Sequence, residues 1–500
     1  MILRKGLPIF YSALLLTGVN LLLRLVGTSF QVFLSGKIGA AGVGLLQLVS
    51  SVGMLGLTAA MAGIRTTAMY LTAEELGKNR PSNVSFVLSG CFVYSILFST
   101  AIATGIYCFA PLIAEGWIGH QEVIPALRTM AVFLPVNCLC GVMSGYFTAA
   151  GRVGTLAAAE VAEQAFSILT TTSLLLLWAD SDAPKACQAV MAGSGLSSCL
   201  TLGTLVVLRC RERGTTGARL PLANRILRCA LPLAVADDAK AGINTLENLM
   251  VPKRLALYAK TADPLADFGR LCGMVFPVLM FPAAILFGLC ELLIPELARA
   301  RAAGSKVRIR HLAGRSLHIG WIYGCGCGGL LYLMAEALCL ALYKDAGAGF
   351  LLRSFALLTP MLYCDSVTDA MVKGLGQQKK AMVCNIFTAV LDVTFLFFLL
   401  PKYGMDGYFF SFLVTHLINF LLSLRLLLKI TGPVLPIRKP IFCFVSASIG
   451  VLAALCFPGW IRCVVFFPVF FSLLTLLQVV EKEDLFWVKS LVKQKQKDRR

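Results

Sequence analysis

In the stretch CALPLAVADDAKAGINTLENLMVPKR, Cys229 to Arg254, carboxylates, an amine and two amides follow one another inside an otherwise apolar run. At 3.6 residues per turn, Asp237, Lys240, Asn244, Glu247 and Asn248 fall within roughly a third of a helix circumference, while Leu233, Ile243, Leu246 and Leu249 lie mostly elsewhere. Asp238 points away from that stripe. Lys240 can give charge-assisted hydrogen bonds to an anion, and the acids and amides can bond hydroxyl or amide groups. Lys240 also stands three residues after Asp237, within reach of an ion pair. A closed ion-pair network between helices is the competing reading.

Other ionisable groups sit in similarly apolar surroundings. Asp392 has Asn385 seven residues earlier on its own face, and Asp365 and Asp369 share a face at i and i+4. These acids are candidates for a cavity wall or for coupling to Na⁺ or H⁺. Glu160 and Glu163 lie toward one end of their segment and face a cavity or simply meet basic loops. Arg24 lines a cavity or snorkels to the surface. The four histidines (His120, His311, His318, His416) are scattered and no CxxC pair occurs, so no metal site is expected. No GxxxxGK[ST] phosphate loop is present, and nothing in the pattern calls for covalent chemistry, so an enzyme is not expected.

The elements that must position these residues are membrane helices. Of the 500 residues, 58% are hydrophobic and only 14% charged, and the mean hydropathy is +0.79. Windows of about 20 apolar residues, enough to cross a hydrocarbon core of roughly 30 Å, recur along the chain. About fourteen fall near 7–34, 43–64, 84–108, 123–148, 155–178, 187–208, 226–250, 268–292, 316–343, 351–372, 381–400, 406–428, 440–458 and 461–480. The first opens with Arg4 and Lys5 but is too long and lacks a small-residue cleavage site, so it reads as an uncleaved helix.

The net charge of +19 does not point to nucleic acid, because its distribution follows the loops. About 32 of the basic residues fall in alternate loops and the two tails, against about 8 in the other loops. That asymmetry puts both termini in the cytoplasm and gives the basic loops an affinity for anionic membrane lipids. The 18 cysteines, mostly inside the spans, read as small packing residues.

Two segments match at an offset of 225 residues: LRTMAVFLPVNCLCGVMSGYFTAAG from Leu127 and LRSFALLTPMLYCDSVTDAMVKGLG from Leu352. Arg128/Arg353, Pro135/Pro360 and Gly151/Gly376 coincide, and the same offset brings Gly44 onto Gly269 and Gly63 onto Gly288. The fold class is therefore an all-α polytopic membrane protein with two parallel six-helix lobes around a central cavity and two extra helices. The divisions are 1–210, 211–430, 431–480 and a basic tail, 481–500. Pro135 and Pro360 are expected to bend or hinge equivalent helices.

Three blocks carry a family resemblance: GLLQLVSSVGMLGLTAAMAGIRTTAMYLTAEELGKN, GRLCGMVFPVLMFPAAILFGLCELLIPELARARAAG and the long run from Val372 to Gly432. They resemble the stage V sporulation protein B and polysaccharide-exporter branch of the multidrug/oligosaccharidyl-lipid/polysaccharide (MOP) flippase superfamily, over about residues 1–480. LRLVGTSFQVFLSGKIGA in the first span is similar to the Arg-x-x-Gly…Gly-Ala pattern of MurJ-type lipid II flippases, which implies a cavity arginine at Arg24. A second arginine and an aspartate of that pattern are Phe30 and Gln31 here. The multidrug antiporters, another branch, carry an acidic residue in the first span that this chain lacks. The resemblance implies a bacterial cytoplasmic-membrane protein, expected as a monomer, that flips a polyprenyl-(pyro)phosphate-linked glycan or peptidoglycan precursor by alternating access. A cation-coupled multidrug exporter and a non-transporting scaffold for cell-wall or spore assembly are the alternatives.

The loop asymmetry makes a direct prediction. On a cysteine-free background, a cysteine at Ser305 will label only from the cytoplasm and one at Asp345 only from outside. Labelling of both from one face would refute the fourteen-span topology.

Overall fold

The computed structural model describes residues 6–78, 80–179, 182–210, 222–434 and 436–480. The basic tail expected at 481–500 and loop residues 211–221 lie outside them. Sixteen α-helices follow one another, with no strand among the described residues. They are α1 (Gly6–Met61), α2 (Ile64–Gly77), α3 (Pro81–Leu112), α4 (Ile124–Ala149), α5 (Val153–Leu174), α6 (Ala183–Cys210), α7 (Leu222–Leu255) and α8 (Pro264–Gly269). Then come α9 (Phe276–Met280), α10 (Ala283–Ala302), α11 (Lys306–Tyr343), α12 (Ala346–Ala356), α13 (Thr359–Gly374), α14 (Gln378–Thr431), α15 (Arg438–Leu455) and α16 (Ile461–Leu476).

Among the described residues, length and apolarity alone admit eight helices as spans, or ten if the bent pairs Pro264–Met280 with Ala283–Cys290 (62°) and Ala346–Ala356 with Thr359–Gly374 (60°) each count once. The remaining expected spans have identifiable causes. Helices α1 and α14 each hold two, divided at glycines with non-helical backbone, Gly39 (φ 68°) and Gly404 (φ 59°). Helix α7 is made too polar by its own charges, and α16 has only 16 residues. Every one of the fourteen expected segments thus falls on helix.

Packing divides the chain into two compact units, Met1–Met274 with Ala389–Tyr408, and Val275–Thr388 with Phe409–Arg500. In the first, α4 packs against α2, α3 and α6, and a buried cluster joins Leu71, Val87, Phe147, Leu205 and Ile226. Connections of one parity gather at each end of this unit. Lys253, just before the connection after α7, donates to the carbonyl of Gly116, and Tyr258 lies against Gly404. At the other end Arg225 pairs with Glu74 (2.8 Å) and Glu75 (3.5 Å), and Arg209 bonds Ser85 (3.0 Å). In the second unit Arg308 pairs with Glu296, Arg301 bonds the Leu375 carbonyl and Arg310 that of Pro433. Alternate connections meeting at one end is what successive crossings require.

The 225-residue offset recurs in local geometry. Helices α4 and α13 end alike. The amide of Ala150 donates to Tyr146 (2.9 Å), that of Gly151 to Thr148 (3.1 Å) and that of Arg152 to Phe147 (3.0 Å). Shifted by the offset, Leu375 donates to Met371 (2.9 Å), Gly376 to Lys373 (2.9 Å) and Gln377 to Val372 (3.1 Å). Gly151 (φ 73°) and Gly376 (φ 69°) supply the left-handed residue that this kind of cap needs. A second pair is reciprocal. A Cβ on Gly44 would meet the Leu265 carbonyl oxygen at 2.3 Å, and one on Gly269 would meet that of Ala40 at 2.0 Å. Residues 40 and 265, and 44 and 269, are themselves offset partners, so the contact maps onto itself as a twofold relation between repeats demands.

The two prolines differ. Pro135 lies inside an unbroken α4, whereas Pro360 begins α13 next to the 60° bend. In a first turn the missing N–H of Pro360 leaves no helical bond unmade, whereas Pro135 removes one inside α4, so the equivalent prolines act on their helices differently. All described cysteines are free thiols, and Cys138 and Cys325 are buried.

Gly151→Ala and Gly376→Ala are each expected to destabilise the protein by about 1 kcal/mol, since alanine resists the left-handed region. Gly154→Ala in α5, with open space around its Cβ position, serves as the control and is expected to hold or gain stability, since alanine favours a helix. Thermal unfolding in detergent measures all three; unchanged midpoints at 151 and 376 would contradict the shared cap.

Candidate functional site

Helix α7 is fixed to the second part of α1 by polar contacts. The hydroxyl of Thr245 donates to the Ser51 carbonyl (3.0 Å), and the Asn248 amide donates to the Ser51 hydroxyl (2.9 Å), which itself donates to the Gln47 carbonyl (2.8 Å). Thr245 is buried. Asn248, expected among the residues facing a wet cavity, is thus engaged in docking the helix. In an apolar medium such bonds are the available attraction between helices, since hydrocarbon and leucine attract one another no better than lipid does.

One turn around, Glu247 accepts a hydrogen bond from Tyr408 and feels the charge of Asp392. Asp392 and Tyr408 are buried, on the part of α14 that packs with this unit. Two sequence-predicted acids are therefore brought together from helices more than a hundred residues apart, with a phenol that sequence reasoning did not single out.

Asp237, Lys240 and Asn244 are exposed. Lys240 and Asp237 do not pair, and among the described residues no ion pair involves either. A lysine three residues on can reach such a partner, but the spacing alone does not make the contact. Asp238 turns inward toward Tyr94, and its Oδ1 is buried without a hydrogen-bond partner.

The opposite face of α7 lines an apolar cavity of about 710 Å³ with Leu55, Trp117 and Phe397. Leu249 is on that wall, nine residues or about two and a half turns from Lys240, which places the two on opposite sides. The cavity's cations are Lys253 and Arg254, the latter 3.3 Å above the Phe397 ring. Both stand in VPKR, at the end of α7.

The remaining predicted residues form separate groups. Arg24 is exposed on α1, with its carbonyl accepting from Thr28 (2.9 Å). Glu163 accepts from Ser198 (2.9 Å), and Glu160 faces Arg65. In the second unit the Asn419 amide donates to Asp365 (3.0 Å) and its carbonyl accepts from Thr388 (3.1 Å), while the Oδ1 of Asp365 is buried without a partner. Asp369 pairs with Lys373 on its own helix. The carbonyl of Asn385 accepts from Thr388 (3.2 Å). Among the described residues no cluster of three or more His, Cys, Asp or Glu is arranged to hold a metal.

Known proteins share this architecture. The family model described as MatE matches residues 16–172. The chain is similar to "Stage V sporulation protein B" of Bacillus subtilis (strain 168), 20% identical over 95% of this chain and 96% of the relative. Among solved structures, "Lipid II flippase MurJ, inward closed conformation" is 12% identical with a TM-score of 0.73, covering 93% of this chain and 98% of that one. An inward-facing multidrug resistance MATE family transporter of the MOP superfamily is 15% identical with a TM-score of 0.66, covering 82% and 96%. These structures share the fold.

The two halves of the α7 polar group are separable by mutation. Asn248→Leu removes a docking bond and leaves Ser51 short of a partner, for an expected loss of about 1 kcal/mol. Glu247→Gln keeps an acceptor for Tyr408 while removing one of two neighbouring like charges, so stability is expected to hold or rise. Thermal unfolding in detergent tests both; the reverse order of stabilities would show that Glu247, not Asn248, holds the helix.

Proposed function

We propose that this chain, a multi-pass membrane transporter of the MOP superfamily, flips a polyprenyl-(pyro)phosphate-linked glycan or peptidoglycan precursor across a bacterial cytoplasmic membrane. The observation that carries this reading is Lys240, exposed beside exposed Asp237 and Asn244 on α7. An ammonium turned toward lipid at the middle of a span costs several kcal/mol, so the face belongs against water or a polar ligand. A substrate with a phosphate, a hydroxylated headgroup and a lipid tail supplies such a ligand.

Lys240 is the phosphate donor in this reading, a mobile ammonium with three N–H groups, and Arg24 a forked second donor. Asp237 and Asn244 bond sugar or peptide groups. The carrier works as a monomer with both termini in the cytoplasm and exposes this face alternately to the two sides. Glu247 and Asp392 supply the coupling: two neighbouring carboxylates away from water call for a compensating cation, H⁺ or Na⁺, whose entry and exit bias the cycle. Asp365, held by Asn419, is the equivalent candidate in the second unit. The same acids favour one other reading, a cation-coupled exporter of organic cations.

Lys240→Met will abolish flipping while expression holds, and Lys240→Arg will keep part of the activity. Native mass spectrometry of copurifying lipids identifies the cargo: a polyprenyl phosphate adduct lost in Lys240→Met supports the flippase. Misfolding of Lys240→Met that is rescued by neutralising Asp237 and Glu247 would make the stripe structural. Binding of organic cations strengthened by Lys240→Met would favour the exporter.

A further inference from the structure

At one end of the unit Val275–Thr388 with Phe409–Arg500 lies a cavity of about 340 Å³ whose lining includes none of the residues given a role in transport above. Tyr332 and Glu336 of α11, Arg353 of α12, Gly459 and Trp460 of the turn between α15 and α16, and Arg462 of α16 line it. Arg353 stacks 4.7 Å above the Tyr332 ring and has Glu336 at 3.4 Å. Arg462 gives its Nε–H to the Phe457 carbonyl at 2.9 Å, which leaves its two terminal amino groups free of partners among the described residues. Two guanidiniums against one carboxylate give the cavity one net positive charge.

Depth decides what kind of anion reaches it. Helix α15 has 18 residues, about 27 Å at 1.5 Å per residue, which is close to the thickness of a bilayer's hydrocarbon. It opens with Arg438 and Lys439, so the turn after Leu455 falls at the opposite headgroup layer. Trp460 on that turn is 72% exposed, and tryptophan favours that level of a membrane. This is the end of the unit away from Arg308 and Glu296, the end where basic residues are scarce in the sequence. Two arginines converging there are not accounted for by the charge asymmetry of the loops.

We propose that this cavity binds the phosphate of a membrane lipid, with Arg353 and Arg462 as donors to the phosphate oxygens and Trp460 set among the neighbouring headgroups. A phosphodiester carries one negative charge, matching the cavity, and guanidinium forks fit phosphate oxygens in pairs. Glu336, with its side chain 69% exposed, holds Arg353 in place until the phosphate arrives and then swings aside. The site is independent of the α7 face and takes a resident lipid, not the transported cargo.

Native mass spectrometry of the full-length protein tests this with phosphatidylglycerol, diacylglycerol and glycerol 1-phosphate as probes. One phosphatidylglycerol is expected to bind with an affinity that Arg353→Gln with Arg462→Gln lowers about tenfold. Glu336→Gln is expected to tighten it. Equal affinity of the double variant, or equal binding of diacylglycerol, would overturn the proposal. Glycerol 1-phosphate binding as tightly as the lipid would assign the site to a soluble anion instead. If the double variant is not recovered folded, Glu336→Gln decides, and an unchanged affinity in that variant would count against the site.

Discussion

The structure turns on one constraint: a polar group at membrane depth must meet another polar group or water. Helix α7 carries several such groups and most of them find an answer, while the Oδ1 of Asp238 stays buried without a partner. Thr245 and Asn248 are satisfied by Ser51, Glu247 by Tyr408, and Asp237, Lys240 and Asn244 by exposure. The orientation of the helix follows from this division. Rotating α7 by a quarter turn would strip Ser51 of its partners on that helix.

The same constraint explains why α1 meets α7 and α8 where it does. Ser51 lies in the part of α1 that begins after Gly39, and Gly44, two turns before Ser51, meets α8 at backbone distance. Without side chains at Gly44 and Gly269, the main chains approach closely enough for the short hydroxyls of Thr245 and Ser51 to reach their partners. Small residues at the crossing and polar bonds beside it are cooperative devices, because each fixes the separation the other requires.

Much of this was legible in the sequence, and the limits have physical causes. The spans follow from apolar length, and the repeat from glycines and prolines at a fixed offset. Gly151 and Gly376 predicted equivalent places, because only a left-handed backbone gives glycine a reason to recur there. The polar face of α7 was visible from 3.6-residue spacing. What spacing does not supply is the partner. Tyr408 lies in an apolar run that offers no periodic signal, and Ser51 is one of many serines in spans. The Asp237–Lys240 pair that the spacing allows is not made, since spacing permits a contact without requiring it. Pro135 and Pro360 match in sequence but not in helical position, one lying in mid-helix and the other in a first turn, where a proline obeys a different backbone account.

The first span shows how a departure from a family pattern acquires a physical meaning. Where MurJ-type sequences place an arginine and an aspartate, this chain has Phe30 and Gln31, and the Gln31 amide donates to the Gly273 carbonyl at 3.4 Å. Gly273 belongs to a π-helical stretch, Arg270–Val275, in which the wider turn leaves carbonyls without the regular partner of an α-helix. A neutral amide satisfies such a carbonyl without bringing a charge into the span, whereas an ionised pair at the same place would also have to be neutralised or hydrated. Positions 30 and 31 therefore contribute packing and backbone support, and Arg24 is left as the sole cation of the described part of the first span before Lys37. In the flippase proposed above, recognition of an anion rests correspondingly more on Lys240.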